Sequence, residues 1–324
     1  MRFISCIAIA SATLSSLACS KVVQEPVVEP SINITVMVRG AEPTRATDIT
    51  AANESKVGNL QVFVFRDGRL EDYRDAGEAT SATLTVTAGL RTVWAVVNAP
   101  SLSGVVDQVE LERHVSLLSD NRLDSFVMGG SDTRNLTDGG TVAVTVRRLV
   151  CRVSVDKVTT GFEYGLAGED LHLDAIWLVN AAAEARLGTQ DAPGTWANKL
   201  AHTDPSLDPL LHDRVDAIVK NGAPYGRTHV FYPYPNPTEA YVYSGEWCPR
   251  HTMLVLEVTL QGKKGYYPVE LPVLERNRRY AIGEIHITHY PGDNPYVPVK
   301  TGETAVPVVV RDWENEVNLG TITI

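Results

Sequence analysis

The thiols, imidazoles and carboxylates that stand close together in this sequence are few, and each group suggests a definite chemistry. Trp247-Cys248-Pro249-Arg250-His251 places a thiol and an imidazole in one short stretch, the pair that a cysteine nucleophile and its base require. Adjacency along the chain does not bring sulfur to nitrogen in space, and a buried cysteine beside a surface histidine accounts for the same residues. Glu284 and His286 alternate onto one strand face with His289 close behind, so a metal site can be drawn there. The chain holds neither an HExxH pattern nor a Cys/His pair at zinc spacing, and no metal is expected. Asp107, Glu110 and Glu112 lie on or beside a helical stretch and read as its solvated face. Phosphate-cradling patterns of the GxxxxGK[ST] and GxGxxG kind are missing, as is the GxSxG turn of a serine nucleophile. Nucleotide and hydrolase chemistry therefore lose their usual support, and the sequence reads as non-enzymatic, with no cofactor.

What remains is binding and assembly, which depend on the elements that carry the surfaces. At roughly 150 residues per domain, 324 residues make about two domains. Hydrophobic residues at 44% and charged residues at 21% are globular proportions, which exclude a disordered or collagen-like chain. With 29 Lys and Arg against 39 Asp and Glu the formal charge is −10, and no basic block offsets it, so a nucleic-acid partner is not expected. Apolar residues alternate at Ile32, Ile34, Val36 and Val38, the pattern of a half-buried strand. Further strands are expected at 60–65, 83–87, 93–97, 142–146, 149–155, 171–179, 229–232, 253–260, 266–271 and 280–288, with Asp67-Gly68 closing a hairpin. Two helices interrupt them. One spans 105–118 through Val106, Val109, Val115 and Leu118. The other is capped by Asp208, has Pro209 at its first position, carries Leu210, Leu211, Val215 and Ile218 on one face, and stops at Lys220-Asn221-Gly222. Short strands at regular spacing with little helix predict a mainly β chain of two β-sandwiches.

The two ends carry the stronger signals. Residues 1–18 have the charge and apolar run of an export signal, and Cys19 follows directly. Cys19 then either carries lipid, as in a bacterial lipobox, or simply follows a cleaved signal; Ser16 stands where a lipobox usually has Leu. With Cys6 removed and Cys19 at the new terminus, Cys151 and Cys248 remain, a pair that leaves both a buried core thiol and a single disulfide open. Arg45 and Ala46 sit in an unpatterned stretch after the first strand, where a solvated charge or a protease-accessible extended segment would both fit. Thr304–Val310 and Val317–Ile324 are strand-like runs that read either as an ordinary last strand or as an arm seeking another sheet.

Taken in order, these pieces resemble the fimbrillin (FimA-like) family, the pilus-building lipoproteins of anaerobic Gram-negative bacteria. The matching residues are Cys19, Thr44-Arg45-Ala46, Val57-Gly58-Asn59 leading into Leu60–Phe65, and Trp94-Ala95-Val96-Val97-Asn98-Ala99-Pro100. Further on come Arg148-Leu149-Val150-Cys151-Arg152-Val153, Phe231-Tyr232-Pro233-Tyr234-Pro235-Asn236-Pro237, Tyr266-Tyr267-Pro268-Val269, Arg276-Asn277-Arg278-Arg279-Tyr280, and Val308-Val309-Val310-Arg311-Asp312-Trp313.

The resemblance implies two transthyretin-like β-sandwich domains and polymerisation by strand exchange. Mapped here, residues 1–18 are a lipoprotein signal and 19–45 a lipidated tether with the first strand. Residues 46–156 and 157–303 are the two sandwiches, and 304–324 is a C-terminal arm. An arginine-specific protease cuts between Arg45 and Ala46 at the cell outer membrane, releasing the strand of Ile32, Ile34, Val36 and Val38. A neighbouring pilin's arm then fills the groove; its apolar candidates are Val308, Val310, Trp313, Val317, Leu319, Ile322 and Ile324. A stalk subunit of an adhesive fimbrium is the first expectation and a tip or accessory subunit the second. A lipid-anchored glycan-binding protein is the alternative from another class, with Trp177, Trp196 and Trp247 as its stacking faces, although buried tryptophans explain the same residues.

Overall fold

The computed structural model describes residues 29–40, 54–189, 192–239 and 247–297, and the backbone of 311–312 and 321–323. Its first half runs β1 (Ser31–Arg39), β2 (Leu60–Arg66), β3 (Arg69–Asp75), β4 (Ser81–Thr87), β5 (Gly89–Val97), α1 (Gln108–Arg113), β6 (Val115–Leu117), β7 (Met128–Leu136), β8 (Gly140–Thr145) and β9 (Arg147–Arg148). The second half begins with β10 (Arg152–Val155), β11 (Val158–Thr160), β12 (Leu171–Val179), β13 (Ala181–Ala182), β14 (Glu184–Arg186), β15 (Trp196–Ala197), β16 (His212–Val219) and β17 (His229–Phe231). It ends with β18 (Met253–Leu260), β19 (Lys263–Glu270), β20 (Arg278–Ile282), β21 (Glu284–Ile287), β22 (Arg311–Asp312) and β23 (Thr321–Thr323). The chain is mainly β, as the alternation predicts, and no helix among the described residues is long and apolar enough to cross a membrane.

The first half is a sandwich of β4-β1-β8 on β3-β2-β5-β7-β9. Strand β2, Leu-Gln-Val-Phe-Val-Phe-Arg, is buried from Leu60 to Phe65 because its sheet is covered on both faces. Leu60, Val62 and Val64 pack with Val93, Ala95 and Val97 under β1, whereas Phe63, Phe65, Trp94 and Val96 join a larger apolar cluster that continues into the second half. A near-continuous apolar run is what two-sided burial demands. The sheets approach so closely at Gly130 that a Cβ there would lie 2.0 Å from the Thr145 carbonyl oxygen. The Asp67-Gly68 turn takes positive φ at both residues, 50° and 78°, as a two-residue hairpin requires.

The second half repeats the plan. Here β16-β12-β18-β19 faces β17-β10-β20-β22, whose line continues as β11-β21-β23. As β1 runs antiparallel to β4 and parallel to β8, so β10 runs antiparallel to β17 and parallel to β20. A bulge at Asp174 shifts the register of β12, so Leu171 and Leu173 before it and Ile176 and Leu178 after it all reach the main core. One extra residue reverses which side chains face inward.

Both expected helices are corrected. The first shrinks to the six residues of α1, where Asp107 accepts from the Glu110 amide at 2.8 Å. Val115-Ser116-Leu117 instead pairs with Glu184–Arg186, and Val106 and Val109 stay exposed, so no apolar face exists to hold a longer helix. The second is strand β16, paired with β12 from Leu171↔Val219 to Trp177↔His212. Without it β12 would have an open edge, and β-branched Val215, Ile218 and Val219 suit the strand. The aspartate cap with proline at the first position lies four residues earlier. Asp204 accepts from the Ser206 amide at 3.0 Å to start a short turn of 3-10 helix over Pro205–Leu207. Of the strand expected over 149–155 only Arg152–Val155 forms, and the one over 280–288 breaks at Gly283.

Candidate functional site: the seat of the first strand

Strand β1 reaches the fold from one side of the sequence and completes a sheet whose other members come much later. It pairs with β4 from Ser31↔Thr87 to Met37↔Ser81 and with β8 from Ile34↔Gly140 to Arg39↔Thr145. Alternation turns Ile34 and Val36 inward, 1% and 0% exposed, over Val62, Leu84, Val142 and Val144. Ile32 and Val38 pack at the margins of the same cluster, so the four alternating residues share one face of β1. The outward face is polar: Thr85 Oγ1 donates to Asn33 Oδ1 at 2.8 Å, and the Thr35 and Thr83 hydroxyls stand 3.3 Å apart. With β1 absent, two strand edges and an apolar floor would be open to water, a template for another strand.

Both ends of β1 are fastened, the first by charge and the second by a backbone hydrogen bond. Just before it, Glu29 accepts from Arg91 at 2.9 Å and pairs with Arg66 at 3.0 Å, and Arg91 also donates to Glu71. The Arg91 hydrogen bond holds the Glu29 carboxyl below its ordinary value. Burial pushes Glu71 up, but hydrogen bonds from Thr87 and Arg91 outweigh it and hold the group low. Just after β1, the Arg39 carbonyl accepts from the Val146 amide, and Gly40 turns away with φ +84°.

Glu54 is a buried carboxylate at the junction of the two halves. Tyr232 donates to it at 2.6 Å, Arg152 at 3.1 Å and Arg279 at 3.5 Å. Arg148 donates to the Glu54 carbonyl and to Ser55 Oγ, both at 2.7 Å, and burial lowers its pKa to about 10. Next, Asn98 accepts from the Gly58 and Asn59 amides and donates to the carbonyls of Lys56 and Phe126. Asn59 in turn donates to the Ala99 carbonyl at 2.9 Å. The pieces quoted for the resemblance thus meet in space: Val57-Gly58-Asn59 with Asn98-Ala99, and Arg152, Tyr232 and Arg279 around the Glu54 carboxylate with Arg148 on its backbone carbonyl. Glu54 was not singled out by sequence. Its signal was indirect, since arginines in apolar strands need buried partners.

Other expected sites fall as follows. Cys19, Arg45 and Ala46 lie outside the described residues, as do Val308, Val310, Trp313, Val317, Leu319 and Ile324. The backbone at Ile322 belongs to β23, which runs parallel to β21 with Ile322 opposite Ile285, while β22 pairs with β20. Cys151 and Cys248 are free thiols; Cys151 is buried, its sulfur 3.2 Å from the Pro233 carbonyl, and burial pushes its pKa up. His251 is buried, which lowers its pKa. The Glu284 carboxylate is bound by Lys157 at 2.9 Å and Thr159 at 2.7 Å. Glu110 accepts from the Val106 amide and Glu112 from Gln108, so the helix carboxylates hold local structure. Trp177 is buried, and the half-buried Trp247 ring already meets Lys199, Arg250 and Trp196.

The fold is similar to that of solved bacterial fimbrial and cell-adhesion proteins. It matches fimbrilin (FimA) from Porphyromonas gingivalis W83 with a TM-score of 0.58 at 13% identity, over 90% of this chain and 97% of that one. A candidate cell adhesion protein from Bacteroides eggerthii matches with 0.61 at 17% identity, over 90% and 98%. The tip fimbrial protein Mfa3 from P. gingivalis, C-terminally truncated, matches with 0.53 at 15% identity, over 88% and 100%. No protein-family model matches the sequence, and no curated protein matches it by sequence.

Proposed function

We propose that the chain is a fimbrial subunit, exported as a lipoprotein through Cys19, matured by cleavage between Arg45 and Ala46, and polymerised by donor-strand exchange in a surface fimbrium that supports adhesion. The observation that carries this reading is the seat of β1: a single strand, amino-terminal to Arg45, fills the place between β4 and β8 with Ile34 and Val36. Cleavage after Arg45 severs that strand from the rest. Apolar surface released to water is worth roughly 25 cal/mol per Å², so an emptied seat strongly favours a replacement. The fimbrial and adhesion proteins of the same fold support the assignment.

Residues 304–324 are the proposed donor arm, presented by the second sandwich (157–303) to the first (46–156) of a neighbour. A cleavable arginine disfavours a permanent anchor and a C-terminal donor disfavours a terminal tip, so a repeating stalk position is the first reading. The partners are other pilin subunits, an arginine-specific protease, and, before maturation, the outer membrane through lipid. Limited trypsin treatment of the chain lacking residues 1–18 tests this directly. Cutting at Arg45, followed by detergent-stable oligomers that vanish when the last twelve residues are deleted, is the expected result. Cutting elsewhere, or a clipped product that remains monomeric, rejects it.

A further inference from the structure

A cleft of about 580 Å³ opens at the end of the second sandwich, away from the β1 seat, between the turn after β11 and the segment after β21. Its volume lies within the range of small-molecule sites. Tyr164 stands on one side, 93% exposed, and Tyr290, 54% exposed, also lines it. One exposed ring needs no explanation, but two on the lining of a single cleft make a surface on which a ligand can stack. Tyr164 is also held at φ +51°, a left-handed conformation unfavourable for a bulky residue, and strain of this kind collects at functional positions. Its turn is fixed by buried Leu166, and Tyr290 by donating its hydroxyl to Gln261 at 3.0 Å.

His286 also lines the cleft, so close to Gly161 that a Cβ there would come within 2.6 Å of Nε2. Its protonation follows from its neighbours. Thr159 gives its only hydroxyl hydrogen to the Glu284 carboxylate at 2.7 Å, so at 2.8 Å from His286 Nδ1 the Thr159 oxygen must accept. The neutral imidazole therefore carries its hydrogen on Nδ1 and presents Nε2 as an acceptor. Glu163 adds an exposed carboxylate, and the described lining includes neither Lys nor Arg. Aromatic faces beside acceptors, without cations, suit a ligand that has apolar C–H faces, many O–H donors and no negative charge.

We propose that this cleft binds neutral oligosaccharides, stacking sugar rings on Tyr164 and Tyr290 and taking hydroxyl hydrogens on His286 Nε2 and Glu163. The purified chain is titrated with lactose, cellobiose, maltotriose and diacetylchitobiose, with sialyllactose and a proline-rich peptide as competitors, and followed by saturation-transfer NMR and calorimetry. Saturable binding of a neutral sugar is expected at up to millimolar concentration. Tyr164→Gly and Tyr290→Ala should each weaken it by about tenfold or more. Because glycine adopts φ +51° without steric cost, Tyr164→Gly should leave the melting midpoint near that of the parent while binding is lost. Three outcomes overturn the proposal: no neutral sugar binds, binding survives both substitutions, or sialyllactose or the peptide is preferred. None of these bears on Arg45 or on polymer formation.

Discussion

At the scale of single residues, Glu54 shows how one buried charge can organise a junction. Three arginines and a tyrosine hydroxyl converge on residues 54 and 55. Breaking a buried ion pair leaves its partners desolvated without compensation. Glu54→Ala should therefore lower the unfolding free energy by about 3 kcal/mol, measured by urea titration. The Glu29–Arg91–Glu71 fastening predicts a pH dependence instead. Both carboxyls are held below their ordinary value of 4.5, so the stability they lend is complete above that value and is lost as pH falls through the lower folded values. Thermal melting of the uncleaved chain should be nearly flat in this contribution from pH 7 down to about 5 and fall below about 4. Glu71→Gln should flatten the acid side of that curve.

At the scale of elements, β1 is the piece whose loss matters most. Ile34→Ala opens a cavity under a strand held by two neighbours and should cost about 3 kcal/mol, read from the shift of the denaturation midpoint at constant slope. Gly130→Ala should be more disruptive than its size suggests, because the new methyl meets the Thr145 carbonyl rather than a movable side chain. The β16 segment teaches the complementary lesson. Its apolar residues fit a helical face on paper, yet Val215 and Val219 are buried as strand residues because β12 supplies an edge to pair with. Helical spacing at i and i+4 is also strand spacing at two steps of two, and only the partner separates them.

At the scale of the whole molecule, the two halves share a plan: a first strand placed between an antiparallel and a parallel neighbour. In the second half the corresponding strand, β10 with β11, lies inside the chain and is covalently retained, whereas in the first half it is amino-terminal and leads to Arg45. Under the proposed strand exchange, that asymmetry would give assembly a direction. A synthetic peptide of residues 31–39, added in excess to trypsin-cleaved subunit, should reoccupy the seat and suppress oligomers, as seen by size exclusion. A peptide with Val36→Asp should not, since burying an unpaired carboxylate between β4 and β8 is costly.

Much of the fold is written locally. The alternation of Ile32, Ile34, Val36 and Val38, the apolar run of β2, the Asp67-Gly68 turn and the sandwich class follow from side-chain period, two-sided burial and backbone sterics, which act over a few residues. The tertiary structure decided the rest: the parallel pairing of β1 with β8, the bulge at Asp174, the conversion of 212–219 into a strand, the clasp at Glu54, and the placing of Tyr164 and Tyr290 on one cleft. Each of these depends on a partner tens to hundreds of residues away, and hydrogen-bond edges, buried charges and cleft walls have no energy until that partner is in place.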